Sequence, residues 1–380
     1  MSIRKRSFEE RKSIQNHYNK QQNESGFKRR KSKMYRLRSL NNWIKSVLLD
    51  QYLEYQGDVL DLCCGKGGDL QKYRSLKIQS LVAVDFAPKS IENAVSRYNK
   101  MNPQFSAKFG VGDCFESGLL SFLEDGVCFD LVSCQFSLHY ACDTQKRLES
   151  LFENASCRLK RGGYFVATIP DADLIIQKLK EIEGWKFGNN KYQIEFMKNE
   201  KIPNDKSFFP AFGTKYKFKL DEAVFDLPES LVHPPTLAKI ARKYGFKPIL
   251  KKNFHDIFNK FRKVKKYQEL FKRLKCLNQK GGVDTEDWEI MGLYLGVAFK
   301  KIKATPHYNP EKLVRIPRCF PYTHENIVKV VKNTNENENN EQVVQLENEK
   351  QIVNEKKETQ EIQRIESTQE NQKNEIEKEN

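Results

Sequence analysis

Five short runs of aliphatic and aromatic residues, each followed by a segment of helical period, set the strongest limit on what this chain can fold into. Residues 59–63, 80–85, 106–111, 129–134 and 163–169 are apolar on both alternating faces, the pattern of strands buried between two layers. In the segment after Ala141, Leu148, Leu151, Phe152, Ala155 and Leu159 recur at helical spacing. Such alternation predicts an α/β fold: a doubly wound, mostly parallel, Rossmann-like sheet of seven strands, with ligands at the strands' carboxyl ends. The rhythm breaks over about 185–231, where strand-like 191–197 and 215–220 are separated by Pro, Asn and Gly. This reads as an antiparallel insertion after the fifth β-α unit. Helix 235–244, strand 247–252, a basic helix over 254–277 and a final helix-strand pair over 285–301 follow, the last strand closing the sheet as an antiparallel edge.

Composition separates this body, 35–302, from its flanks. Residues 1–34 are rich in Lys, Arg, Gln and Asn and too poor in aliphatics to offset ordering entropy, so they are expected to be a disordered basic arm. Its clusters Arg4-Lys5-Arg6 and Lys28-Arg29-Arg30-Lys31 suit a nuclear address or an RNA tether, or a merely solvated tail. Residues 303–331 read as a linker, and 332–380 as a disordered tail of Asn, Glu, Gln and Lys. Lys and Arg exceed Asp and Glu by 66 to 50, and the tail is net acidic, so the body is itself basic and favours a polyanion. No run approaches eighteen apolar residues, and the nine cysteines form no C-x2-C pair; neither membrane insertion nor a zinc site is expected, and a reducing compartment is.

The first strand runs into Asp61-Leu62-Cys63-Cys64-Gly65-Lys66-Gly67-Gly68-Asp69, a glycine-rich turn opening a helix. Glycine lets backbone approach a ligand closely, although a tight turn with no ligand would use it too. The dinucleotide fingerprint fails, because Leu70 stands where G-x-G-x-x-G requires Gly or Ala. The second strand ends in Asp85, placed to accept both hydroxyls of a ribose, and the third in Asp113, placed for an adenine amino group. Acids also cap helices after strands, but three in register at Asp61, Asp85 and Asp113 are far less accidental. The fourth strand leads into Ser133-Cys134-Gln135-Phe136-Ser137-Leu138-His139-Tyr140, which faces both a cofactor and its acceptor.

Leu40-Asn41-Asn42-Trp43-Ile44-Lys45-Ser46, residues 59–70, the stretch from Ser133 to Tyr140, Arg161-Gly162-Gly163-Tyr164-Phe165 and Phe225-Asp226-Leu227-Pro228-Glu229 together resemble the eukaryotic mRNA cap guanine-N7 methyltransferases over roughly 35–302. The resemblance implies a class I methyltransferase sheet and S-adenosylmethionine contacts from Lys45, Asp61, Cys63, Gly65, Asp85, Asp113, Gln135 and Tyr140. It implies a cap site lined by Asn41, Lys66, Lys72, Arg97, His139, Glu229 and Tyr294. In that reading the three cations neutralise the triphosphate, Glu229 accepts the guanine N1 and N2 protons, and Tyr294 flanks the purine. A solvated helix face is the plain alternative for Lys72 and Arg97, an ordinary surface acid for Glu229, and a core aromatic for Tyr294.

Guanine N7 carries a lone pair and no proton, so neither a general base nor a metal is expected; His139, Tyr140 and Glu229 would act by positioning. Cys63 departs from the family's usual Gly, which puts a β-carbon where the backbone meets the cofactor and is tolerable if its φ is negative. The resemblance implies capped RNA as substrate and a monomer in the nucleus, with capping guanylyltransferase or the RNA polymerase II tail as pathway partners. Two rivals stand beside it. A class I methyltransferase with another RNA or small-molecule acceptor would not need the triphosphate, and a non-catalytic RNA-binding protein on this fold would not bind the cofactor.

Overall fold

The computed structural model describes residues 11–17, 19, 32–197, 202–222, 224–305, 307 and 309–330. The basic clusters at 4–6 and 28–31 and the tail from 332 lie outside the described residues.

The sheet is built from β1 (Asp58–Leu62), β2 (Ser80–Asp85), β3 (Ser106–Val111), β4 (Phe129–Gln135) and β5 (Leu159–Pro170), all mutually parallel. Helices α1 (Tyr35–Tyr52), α2 (Leu70–Ser75), α3 (Pro88–Met101) and α4 (Gln145–Cys157) precede or connect them. Every residue of β2 is buried: Leu81 and Ala83 join the core on one face, and Val82 and Val84 the core on the other. That is the signature of a sheet covered on both sides. Helix starts follow local chemistry, with Thr144 Oγ1 accepting from Arg147 N ahead of α4 and Pro88 fixing the first turn of α3.

After β5 come α5 (Ala172–Lys180) and the insertion, a separate antiparallel sheet of β6 (Lys186–Gly188), β7 (Tyr192–Phe196), β8 (Lys215–Leu220) and β9 (Val224–Ser230) in that order. The chain returns through α6 (Pro234–Lys243), β10 (Phe246–Asn253), α7 (Phe254–Phe261), α8 (Lys265–Leu274), α9 (Thr285–Gly292) and β11 (Tyr294–Lys301). β12 (Val328–Lys329) completes a main sheet ordered β10-β11-β5-β4-β1-β2-β3-β12. The chain progresses outward from β1 in both directions, so the crevice opens where the carboxyl ends of β1 and β4 diverge.

The expected doubly wound, mostly parallel sheet and antiparallel insertion are present, with three differences. The sheet has eight strands, because Val328 and Lys329 pair with Gly110 and Val111 of β3. β11 is antiparallel as expected but lies inside the sheet, between β5 and β10, which takes the edge. The basic helix over 254–277 is two helices, since the backbone turns extended at Val264 and redirects α8 onto α1.

Two flanking segments also pack on the body. Tyr322 is buried against Tyr98 and Phe109, and its hydroxyl accepts from Phe109 N and donates to Asn326 O, so the stretch read as a linker lies against the sheet. Residues 11–17 are helical, and Gln15 donates to the carbonyl of Phe86, just past β2.

Candidate active site

A cavity of about 380 Å³ opens at the crevice, within the range of small-molecule sites. Its floor is the glycine turn. Gly65, at φ +53°, has nothing within 4 Å of where a β-carbon would stand, so its face is open to a ligand. Gly67 is needed for a different reason: at φ +68° a β-carbon there would come within 2.6 Å of Leu70 Cδ1 and 3.2 Å of Ala94 Cα. Cys63 also lines the cavity, and its φ is +60°, not negative. A β-carbon is therefore carried in the left-handed region, which costs about 1–2 kcal/mol in an ordinary residue. Its amide donates to Cys114 Sγ at 3.3 Å, which braces the turn from β3's end.

The carboxylates at the strand ends differ in their surroundings. Asp85 accepts from Gly65 N and from Ala87 N, both at 2.9 Å, yet burial dominates and raises its carboxyl to about 6. Each oxygen keeps a lone pair that a ribose hydroxyl can use. Asp61 lies deeper, where burial and then the Asp69 carboxylate push it well above the usual range. Asp69, absent from the sequence reading as a site residue, ties the floor together: Lys45 and Lys72 each approach its Oδ1 at 2.8 Å. Burial pushes that carboxyl up, but the two ammonium groups overcome it and hold it below the usual range. Lys72 is the exception among the expected cap cations. It is buried, pulled down to about 8 chiefly by desolvation, and occupied by Asp69 and by Asn42 Oδ1 at 2.8 Å; it does not line the cavity, whereas Lys66 and Arg97 do.

Asp113 lines the cavity, but its Oδ2 is held by Arg147 at 3.1 Å and its Oδ1 accepts from Phe115 N at 3.0 Å. Arg147 lies over the Phe115 ring and 3.3 Å from Asp143. Arg147, Phe115 and Phe86 are wall residues that the sequence reading passed over; the capping Thr144 three residues before Arg147 was the signal that a helix start aims it inward. Arg11 and Ile14 of the 11–17 helix form part of the wall as well, with Arg11 3.3 Å from Glu116.

Glu229, His139 and Tyr294, expected to line the cap site, come together at the meeting of the main sheet and the insertion. Glu229 and Tyr216 pair across β8 and β9, and the Tyr216 hydroxyl donates to Glu229 Oε2 at 2.9 Å. Burial, reinforced by Glu229, pushes the Tyr216 phenol well up, so it stays a donor. His139 Nε2 stands 3.5 Å from Glu229 Oε1, and both residues are buried. The His139 ring lies 4.3 Å from that of Tyr140, which lines the cavity with Gln135. Tyr294 meets Phe136, another wall residue, edge to face at 5.1 Å. Pro228 and Ser230 reach the wall on either side of Glu229, so Glu229, His139 and Tyr294 stand immediately behind it. Neither ring nitrogen of His139 has a hydrogen-bond partner among the described residues, nor do Asn41 Oδ1 and Gln135 Oε1, all buried. Buried polar atoms without partners are rare and mark places where a ligand completes the bonding.

The donor set fits S-adenosylmethionine: an open glycine face, a ribose-type acid at β2's end, and the orphaned Gln135 carbonyl at β4's end. Among the described residues no three His, Cys, Asp or Glu side chains are grouped to hold a metal ion, and no helix is long and apolar enough to cross a membrane.

The family model of the mRNA (guanine-N(7))-methyltransferase domain matches residues 2–302. The chain is 38% identical over 302 residues to mRNA cap guanine-N(7) methyltransferase 1 of Oryza sativa subsp. japonica, covering 76% of this chain and 80% of that one. It is 36% identical over 297 residues to the mRNA cap guanine-N(7) methyltransferase of Schizosaccharomyces pombe, covering 76% and 81%. A solved S-adenosylmethionine-dependent methyltransferase from Clostridium acetobutylicum aligns at a TM-score of 0.41 and 16% identity, over 69% of this chain and 91% of that one. A cofactor turn without the dinucleotide fingerprint, a sheet switch point above it, the family model matching residues 2–302 and the rice and fission-yeast relatives agree: the chain belongs to the mRNA cap guanine-N7 methyltransferase family, enzymes that use S-adenosylmethionine.

Proposed function

We propose that the chain methylates N7 of the guanosine capping RNA with Glu229 as the reader of guanine, and that buried Glu229 facing His139, whose ring nitrogens lack a hydrogen-bond partner among the described residues, beside Tyr140 carries this assignment. S-adenosylmethionine, when bound, supplies an electrophilic methyl on a sulfonium. The glycine turn, Asp85 and Gln135 hold it, and Tyr140 separates it from the acceptor side. Glu229 receives guanine N1–H and N2–H in a paired contact that adenine lacks. Tyr216 keeps one carboxylate oxygen oriented for that contact. Because N7 has no proton to lose, no side chain acts as acid or base.

Methylation moves positive charge onto the purine, which makes N1–H a stronger donor. The Glu229 contact therefore tightens as the methyl transfers, and an interaction that grows toward the transition state raises rate as well as affinity. Lys66 and Arg97 face the triphosphate, whereas Lys72 supports the floor through Asp69. Arg147 leaves Asp113 a share in positioning the adenine. A nuclear location and delivery of substrate by a guanylyltransferase or the polymerase tail belong to the same reading.

The test is transfer of labelled methyl from S-adenosylmethionine to GpppA-capped RNA, with uncapped triphosphate RNA and GTP alongside, followed by nuclease release of the cap. Release of 7-methyl-GpppA from capped RNA alone supports the reading. Equal transfer to simple guanosine compounds, or none to any acceptor with cofactor bound, would overturn it.

A further inference from the structure

Between Lys260 and Lys280 the chain carries nine Lys and Arg residues against one acid, Glu269. All nine are exposed. Only Lys266 forms an ion pair with a described carboxylate, that of Asp50. A solvated surface helix ordinarily intersperses both signs, so this concentration asks for a polyanion.

Its place in the fold says which one. β10 runs parallel to β5, since each is antiparallel to β11. The excursion through α7, α8 and α9 therefore leaves the carboxyl end of β10 and re-enters at Tyr294 on the same edge of the sheet as the cavity. α8 packs its apolar face on α1, where the Trp43 indole donates to Tyr267 O at 2.8 Å. Lys45, two residues on and across the helix, reaches the cavity floor instead. One helix, about 10–12 Å thick, thus separates the cavity from α8. The two helices run in opposite directions: Tyr267 meets Gln51, and Arg36 Nε donates to Leu277 O. The cations on the free face of α8, Lys265, Lys272 and Arg273, consequently form an exposed stripe along the flank, with α1 between them and the cavity.

We infer that this face binds the phosphodiester backbone of the transcript beyond its cap. The inference rests on capped RNA being the substrate. The cap and cofactor sites hold only the 5′ terminus, and a stripe of unpaired cations starting one helix away lets the following phosphates release counterions without base selectivity.

The test compares the full-length chain with the triple variant Lys265→Ala, Lys272→Ala, Arg273→Ala, on GpppA dinucleotide and on a GpppA-capped single-stranded 20-mer. KM for the 20-mer is expected to rise about ten-fold in the variant, with KM for the dinucleotide and for S-adenosylmethionine unchanged. The fall of log(kcat/KM) with log salt on the 20-mer is expected to become shallower by about 2, at about 0.7 for each phosphate no longer neutralised. Anisotropy of a fluorescent uncapped 20-mer reads the same face without methyl transfer. Failure to methylate even the dinucleotide would strike the functional assignment, while weakened 20-mer binding would still support the face. Unchanged KM, salt slope and anisotropy in the variant would overturn it and leave an acidic protein surface as the occupant.

Discussion

The cofactor floor and the acceptor wall adjoin, yet they satisfy their buried polar groups in opposite ways. Beneath the cofactor, Asp85 is met by two backbone amides and Asp69 by two lysines, so the carboxylates are oriented before any ligand arrives. On the acceptor side, Glu229 has one firm donor in Tyr216, and neither nitrogen of His139 has a hydrogen-bond partner among the described residues. A buried polar atom left unpaired costs about 1–3 kcal/mol. The contrast teaches that the floor is built for pre-organisation, whereas the wall holds unmet hydrogen-bonding capacity that a purine can satisfy. Selectivity between acceptors should therefore reside in the wall, and cofactor affinity in the floor.

The largest expected break in this division is Glu229→Ala. Losing two charge-assisted hydrogen bonds at about 1.5 kcal/mol or more each should lower kcat/KM for GpppA by about 10²- to 10³-fold, with the KM for S-adenosylmethionine nearly unchanged; steady-state kinetics with each substrate varied checks both. Asp85→Ala is the mirror case. It removes the acceptor for Gly65 and Ala87 amides and for a ribose, so S-adenosylhomocysteine should bind about 10²-fold more weakly by calorimetry, while acceptor discrimination survives.

A smaller effect sharpens the comparison through pH. Burial raises Asp85 to about 6, so it is a carboxylate above pH 7 and gains a proton as pH falls through 6. Protonation removes acceptor capacity, and the dissociation constant for S-adenosylhomocysteine should be flat from pH 7 to 8.5 and climb toward ten-fold per unit below 6. Asp85→Asn should abolish that dependence. The smallest expected effect is Cys63→Gly. Releasing a β-carbon from φ +60° should stabilise the fold by about 1 kcal/mol, read as a melting-temperature rise of about 2 °C.

Much of this plan was legible because buried parallel strands write themselves as continuous apolar runs, and the five that precede the insertion are found with their ends within a residue or two, β5 apart. β5 begins four residues earlier, at Leu159, because its first half carries Lys160, Arg161 and two glycines and lacks an apolar pattern. β12 was missed for a different reason: it is two residues of the short apolar run Ile327-Val328-Lys329-Val330-Val331 beside the polar tail, and the edge of β3 pairs it into the sheet. β9 contains Pro228, which lacks an amide proton and is accepted because β9 is the edge of its sheet. The break before α8 has no Gly or Pro to announce it; tertiary packing on Trp43 imposes it. At the site, acids at strand ends were readable from register, and Glu229 and His139 from the family pattern. What could not be read was which cations a carboxylate already holds: Lys72 and Arg147 look like any helix-surface cation until Asp69 and Asp113 are placed beside them.

The central claim, that Glu229 reads guanine, is tested most directly by the ratio of kcat/KM for GpppA over IpppA, whose inosine keeps N1–H and N7 but lacks the 2-amino group. The wild-type chain is expected to favour GpppA by about ten-fold or more, the worth of one hydrogen bond to a charged acceptor, and Glu229→Ala to bring the ratio to about one. A ratio that Glu229→Ala leaves unchanged would contradict the assignment and place guanine recognition elsewhere on the wall.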